Sequence, residues 1–388
     1  MILTAQVKLI PDNNQSQLLT STIITFNDAC NYVSVIAFHK KKYHPVGLYN
    51  LKIDNTSFYY HLRSKYPNLN ATHIQFVFRK VADAYRKQNG LKNTNKKCKL
   101  IKPCYFKPMS AIPYDHRISN YKLVMRMIYC TNTPDLNLYV IGGRIKIGYV
   151  LGNHQRKILS NSTLAKNCGE SRLSYRNGKF YINIPIEQSV SPEIISTDCI
   201  GVDLGVSNIA VTSRGRIYSN DAIEQKRIKF QKHRSSLQRC GSKSAKRRLK
   251  KISGKEAKFR KNVNHCISKE LVAEAKGTES SIALEDLTHI RERTTVRKQQ
   301  RARHHNWSFR QLRTFVSYKA SMAGIVIKFV NPRYTSQRCS ICGYIDKSNR
   351  KNQFQFQCKS CKHDAHADYN AAVNIAFLGN NSDILKEF

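Results

Sequence analysis

Apolar and polar positions along the 388-residue chain change period several times, and each change marks a predicted element. Ala5, Val7 and Leu9 alternate with polar neighbours, which predicts a short strand ending at Pro11. Leu18, Leu19, Thr22, Ile23, Phe26, Cys30, Val33 and Ala37 then recur at helical spacing, predicting a helix over 14–38. A second helix is predicted over about 71–87, with Asn70 as N-cap and a buried stripe of Ile74, Val77, Phe78, Val81 and Tyr85. Its other face carries Thr72, His73, Gln75 and Arg79. From about 100 to 187 the pattern becomes strand-like. Its clearest piece is two runs around Asn177-Gly178, a pair suited to the positive φ angles of a type I′ hairpin turn. Residues 1–10 and 100–187 therefore predict a small barrel or sandwich, interrupted by helices.

After the loop SVSPEIISTD the character changes. Cys199–Asp203, Asn208–Thr212 and Arg216–Ser219 predict three short strands, with turns at Gly205 and Gly215. A polar, basic helical stretch over about 221–276 follows, then a strand at Ser281–Glu285. Next come a basic loop, a helix over about 307–323 and a strand at Ile325–Val330. A cysteine module spans 339–361, with YIDKSNRKNQFQFQ inside it predicted as a small hairpin, and a last helix begins near Asp368. The fold class this predicts is α+β multidomain.

Composition narrows the partners. Lys and Arg number 66 against 25 Asp and Glu, a formal charge of +41. At 41% hydrophobic residues the chain holds enough apolar material for more than one core, which excludes wholesale disorder. No apolar run approaches the ~18 residues of a membrane span, and the first residues lack the apolar core of a signal peptide. The expectation is a cytoplasmic protein. So large an excess of one sign is self-repelling unless a polyanion is bound, and nucleic acid is the leading candidate. The twelve cysteines then read as reduced thiols and metal ligands. Eight of them, Cys199 and Cys266 included, have no mutual spacing and are expected in cores.

Three segments each end or begin an apolar element with one carboxylate: Asp203 in IGVDLGVSN, Glu285 in SIALEDL and Asp368 in HADYNAAVNIAF. A lone strand-end Asp is usually a turn former, and an Asp opening a helix is usually a cap. Together, acid-ended strand, hairpins, second acid-ended strand and acid-started helix form the layout of a ribonuclease-H-like nuclease. Converging carboxylates become tolerable when Mg²⁺ or Mn²⁺ lies between them. Asp286 is expected on the opposite face of its strand. Asp364 competes with Asp368, but only Asp368 abuts the helical Asn370-Ala-Ala run.

Cys339, Cys342, Cys358 and Cys361 form CxxC-x15-CxxC, the spacing of a closed, structural zinc shell. From Lys226 to Lys261 there are 16 Lys and Arg and one acid, Glu256. Solvated helical faces normally mix signs, so Lys243, Lys246, Arg247, Arg248, Lys250 and Lys251 are candidate phosphate contacts. Arg301, Arg303 and Trp307, in the loop after Glu285, are candidates to track and stack on a strand.

GVDLGVSNIAVTSRG, SIALEDL, NPRYTSQRCSICG and HADYNAAVNIAF, in this order, resemble the TnpB proteins of bacterial insertion sequences. The resemblance is specific over about 198–377. It implies an RNA-guided DNA endonuclease with a RuvC-type domain, related to compact type V CRISPR effectors. Asp203, Glu285 and Asp368 fall on the RuvC acids, and the four module cysteines on the zinc ligands. The resemblance also implies a wedge-like barrel (1–13 and 98–190) with a helical recognition insert (14–97). A nuclease domain (198–334 and 366–388) would follow, holding a basic helical hairpin (221–276) and a zinc-finger insert (335–365). The implied partners are a guide RNA from the mobile element and double-stranded target DNA, read beside a short flanking motif; Thr72, His73, Gln75 and Arg79 are candidate motif readers. Two rival readings share these residues: a strand-transfer transposase, and a nuclease-silent guided regulator.

Overall fold

The computed structural model describes residues 1–94, 103–115, 117, 119, 135–160, 162–163, 170–205, 207–287, 309–352 and 354–381. The chain divides into two compact units, Met1–Ser189 and Val190–Phe388.

The first unit is built on an antiparallel sheet. Strand β1 (Ile2–Ile10) sits near its middle, flanked by β9 (Lys179–Gln188) and β6 (Gly143–Val150). Beyond them lie β8 (Ser171–Arg176) with β4 (Ile112–Tyr114) at one edge, and β5 (Asp135–Val140) at the other. Ser119, a few residues after β4, bridges to Leu138 of β5, so the sheet curls until its two edges approach. The β8–β9 turn is the Asn177-Gly178 pair, with φ of 50° and 77°, the two left-handed residues a type I′ turn requires.

Helices α1 (Asn13–His39) and α4 (Ala71–Thr94) cover this sheet. Helix α1 opens on a capping box in which Asp12 accepts from Gln15 N at 2.7 Å and Gln15 Oε1 accepts from Asp12 N at 3.2 Å. Leu19, Ile23, Phe26, Cys30, Val33 and Ala37 all reach the core, as their spacing predicted. Helix α4 departs from its predicted face: Thr72 and His73 are buried beside Ile74, Phe76 and Val77. His73 packs edge-on against Phe26 and Tyr114, an apolar environment in which its uncharged aromatic ring serves as core.

The second unit carries a five-stranded mixed sheet in the order β12 (Ile217–Ser219), β11 (Asn208–Thr212), β10 (Cys199–Asp203), β13 (Ser281–Glu285) and β14 (Ile327–Val330). Strands β10, β11 and β12 form an antiparallel meander, while β13 and β14 run parallel to β10. Strands β10, β11 and β13 are buried along nearly their whole length because both faces are covered, and their middle residues are apolar. One cover is a cluster that includes Leu271 and Val272 of the long helix 243–277 with Leu312 and Val316 of the helix 309–322. The other is the helix Ala367–Asn380. It lies so close that a Cβ on Gly201 would sit 2.1 Å from Ala372 O and 2.3 Å from Ala376 N, so only glycine fits there.

Two basic helices, Asp221–Cys240 and Lys243–Gly277, form a hairpin whose turn places Gly241 at φ 64°. Cys240 and Cys266 are exposed on these helices rather than buried in a core. In the cysteine module the predicted hairpin of 344–357 is reduced to one antiparallel bridge, Arg350 to Phe356; its second arm, Gln355–Gln357, pairs instead with Asp364–His366 across the second CxxC turn, while the first CxxC turn brings Arg338 to Ile345. Each knuckle thus closes its own short ladder. Among the described residues, no helix is long and apolar enough to cross a membrane.

Candidate functional site

Parallel pairing of β10 with β13 matches Val202 to Leu284, so the next residues, Asp203 and Glu285, stand side by side on one face. Asp368 reaches the same place from the first turn of the helix Ala367–Asn380, where the helix dipole favours a carboxylate. Glu285 is 9% exposed and Asp368 1%. Burial, then the charges of Glu285 and Asp368, push the Asp203 carboxyl well above the ordinary range, against the pull of Arg350. Burial also raises Glu285, opposed by a hydrogen bond from Thr335 and by Arg350.

The acids are held by residues that sequence reasoning did not single out. Asp368 accepts from Arg350 Nη2 at 2.9 Å and from Asn208 Nδ2 at 3.0 Å. Thr335 donates to Glu285 Oε1 at 2.6 Å. Only Asn208 left a signal, as a buried polar side chain opening an otherwise apolar strand. The competitors lie apart from this cluster. Asp286 turns away to Arg313 Nη1 at 2.8 Å, and Asp364 is exposed, within 3.4 Å of Gln355 Nε2.

The four cysteines converge: their sulfurs all lie within 4.8 Å of one another, with Cys339–Cys361 at 3.6 Å and Cys342–Cys358 at 3.5 Å. A backbone N–H from Tyr344 and the neighbouring thiols pull Cys342 down to about 6. Such a set of soft donors at one point suits a tetrahedral thiophilic ion. Two buried asparagines clamp the module to the helix Ala367–Asn380. Asn370 donates to Arg338 O at 2.8 Å and accepts from Ser340 N at 3.0 Å; Asn374 donates to Thr335 O at 3.0 Å and to Arg338 O at 2.6 Å.

These motifs and this geometry have counterparts in known proteins. Residues 183–291 match the family model described as "Probable transposase", and residues 309–375 match "Cas12f1-like, TNB domain". A TnpB-like protein of Methanocaldococcus jannaschii is 29% identical over 60% of this chain and 85% of its own. The chain is a relative of the TnpB-like proteins. With the CRISPR-associated endodeoxyribonuclease Cas12f1 of Sulfoacidibacillus thermotolerans, identity is 35% over 52% of this chain and 50% of that one. The chain spans about half the length of the first Cas12f1 relatives it matches. The fold is shared with the solved mini-RNA-guided endonuclease CRISPR-Cas phi3, at TM-score 0.56 and 11% identity over 98% of this chain and 92% of that chain.

Within the TnpB-like framework the remaining predicted site residues divide three ways. Lys243, Lys246, Arg247, Arg248, Lys250 and Lys251 are all exposed. Arg247, Arg248 and Lys251 line a groove with Phe230, His233, Ile252 and Lys255 in the helical hairpin. Glu256, the lone acid, is buried and pairs with Arg234, so it locks the hairpin and leaves the basic surface undiluted. Of the candidate motif readers, Thr72 and His73 are buried and face the core; Arg79 is exposed and pairs with Glu170, and half-buried Gln75 accepts from Arg117. Arg301, Arg303 and Trp307 lie outside the described residues.

Proposed function

We propose that the chain is an RNA-guided DNA endonuclease of the TnpB kind, cutting guide-complementary DNA by phosphodiester hydrolysis at Asp203, Glu285 and Asp368. One observation carries the reading: Asp203 stands between carboxylates from two other elements, Glu285 and Asp368, and burial and those two charges drive it upward. Hard oxygen donors in this number suit Mg²⁺ or Mn²⁺. Such cations, when bound, supply an acidified water and charge neutralisation at the leaving oxygen.

The chain's own groups prepare the site. Asn208 orients Asp368 through Oδ2, and Thr335 holds Glu285 in one rotamer. Arg350 offsets part of the assembled negative charge and presents a guanidinium suited to a phosphate oxygen. The four cysteines take a structural Zn²⁺, and the sheet of the second unit is the RNase H-like (RuvC) core with the module as its insert. In the first unit, the Ser119–Leu138 bridge supports a wedge-like barrel with residues 14–97 as recognition insert. The basic hairpin is the surface for guide RNA and heteroduplex phosphates, with sequence read by base pairing.

The test is incubation of the purified chain, with its copurifying RNA and Mg²⁺, on DNA carrying the guide complement. Wild type should give breaks, and Asp203→Ala should give none. Joined donor–target products in place of breaks would identify a strand-transfer enzyme. Stable target binding in Mg²⁺ without cutting would identify a regulator.

A further inference from the structure

One polar side chain in the cysteine module is buried without touching the acids. Lys347, Ser348, Lys351 and Asn352 are exposed, yet Asn349 between them is 0% exposed. Its side chain joins three parts of the module: Nδ2 donates to Gln337 O at 2.9 Å and to Tyr344 O at 3.3 Å, and Oδ1 accepts from Lys359 N at 2.9 Å. Gln337 precedes the first CxxC turn, Tyr344 follows it, and Lys359 lies inside the second. Both amide hydrogens and the carbonyl oxygen are therefore used, which fixes the group in one orientation.

The next residue is Arg350. Its backbone bridges to Phe356, whose ring is buried with Cys339, Cys358 and Ala367, and its guanidinium reaches Asp368. A long, entropically costly side chain keeps such a contact best when its backbone is pinned on both sides. Asn349 pins one side and the Phe356 bridge the other.

We propose that Asn349 is a positioning residue that converts closure of the four-cysteine module into the placement of Arg350 against Asp368, and so sets how strongly the three acids attract a divalent cation. The inference rests on the reading of those acids as a cation site. A guanidinium fixed beside Asp368 competes with an incoming cation for the same charge. Freeing it strengthens the pull of the carboxylates, and a purely structural defect would weaken it.

The full chain is titrated with Mn²⁺ by calorimetry, counting only the binding that Asp203→Asn abolishes, with zinc content followed by release on thiol modification. Arg350→Ala should tighten this binding by at least about threefold, the scale expected for removing a like charge a few ångströms away. Asn349→Ala should tighten it in the same direction, and the double variant should match Arg350→Ala. Asn349→Ala with unchanged or weakened Mn²⁺ binding overturns the proposal, as does a double variant in which the two factors multiply. Should Asn349→Ala shed its zinc, Asn349→Ser takes its place, and the same two outcomes would overturn the proposal. Wild type without Asp203-dependent Mn²⁺ binding would overturn the cation-site reading itself and this inference with it.

Discussion

Thr335 and Glu285 are 50 residues apart in sequence, yet the threonine hydroxyl lies 2.6 Å from Glu285 Oε1 in the buried interior. The strand that supplies the acid is thus tied to the segment leading into the first cysteine turn. Thr335→Val removes this donor and leaves a buried carboxylate short of a partner, a loss of about 1.5–3 kcal/mol for a hydrogen bond to a charged group. Single-turnover cutting should fall about ten- to a hundredfold with target binding unchanged, and Thr335→Ser should restore most of it. A Thr335→Val enzyme that cuts at the wild-type rate would remove Thr335 from the site.

Gly201 gives the second prediction. A methyl group there would sit 2.1 Å from Ala372 O, and backbone cannot swing aside as a flexible side chain can. Gly201→Ala should push the helix Ala367–Asn380 off β10 and carry Asp368 away from Asp203. Overpacking of this kind costs about 1–3 kcal/mol or more. Urea denaturation followed by circular dichroism should show a lower midpoint for the second unit, and cutting should be lost. An unchanged midpoint would mean that the helix is not seated where the structure puts it.

His73 predicts a pH dependence. Burial lowers its pKa from 6.5 to about 4, with Asp115 opposing, and Nε2 has no hydrogen-bond partner among the described residues. Between those two values the unfolded chain binds the proton and the folded chain does not. Stability from this group is therefore complete above about pH 6.5 and is lost as pH falls toward 4. The shift is worth about 3 kcal/mol at most. His73→Phe should flatten the fall in urea midpoint between pH 7 and pH 4.5; an equally steep fall in the variant would assign it to other groups.

The basic hairpin predicts a salt signature. Arg247, Arg248 and Lys251 are exposed and line one groove, so replacing all three with alanine should leave stability within about 0.5 kcal/mol. RNA binding should weaken, and the slope of log affinity against log salt should shrink by about 2. A triple variant that binds RNA with the wild-type slope would place the phosphates elsewhere.

Much of this architecture was legible in the chain, for stated physical reasons. The period of Leu19, Ile23, Phe26 and Cys30 marks a helix because only one face of it can be buried. The Asn177-Gly178 turn is legible because few pairs accept two positive φ values. Asp203, Glu285 and Asp368 stand out in the sequence because a carboxylate at the end or start of an apolar run needs a reason to be there.

The misses have reasons too. His73 was placed on a polar face because its ring counts as polar, yet an unprotonated imidazole among Phe26, Tyr114 and Tyr139 packs like any aromatic. Arg350 sits in a run of charged and polar residues with no periodicity, and nothing local distinguishes it from Lys347 or Lys351. Asn349 carries no signal at all, because its burial is created by the two CxxC turns closing around it. In the cysteine module the aromatic alternation of Phe354 and Phe356 names a strand without naming its partner, so only the Arg350–Phe356 bridge of the predicted hairpin forms and the ladder goes to Asp364–His366.

Asn208 and Asp368 are hydrogen-bonded at 3.0 Å but stand 160 residues apart. A ribosome adding about 5–20 residues per second takes roughly 8–30 s to travel that distance. Within that interval both basic helices and the strand bearing Glu285 are completed while Asp368 is still to come. Synthesis thus imposes an order of events, with the basic hairpin complete before the third acid exists.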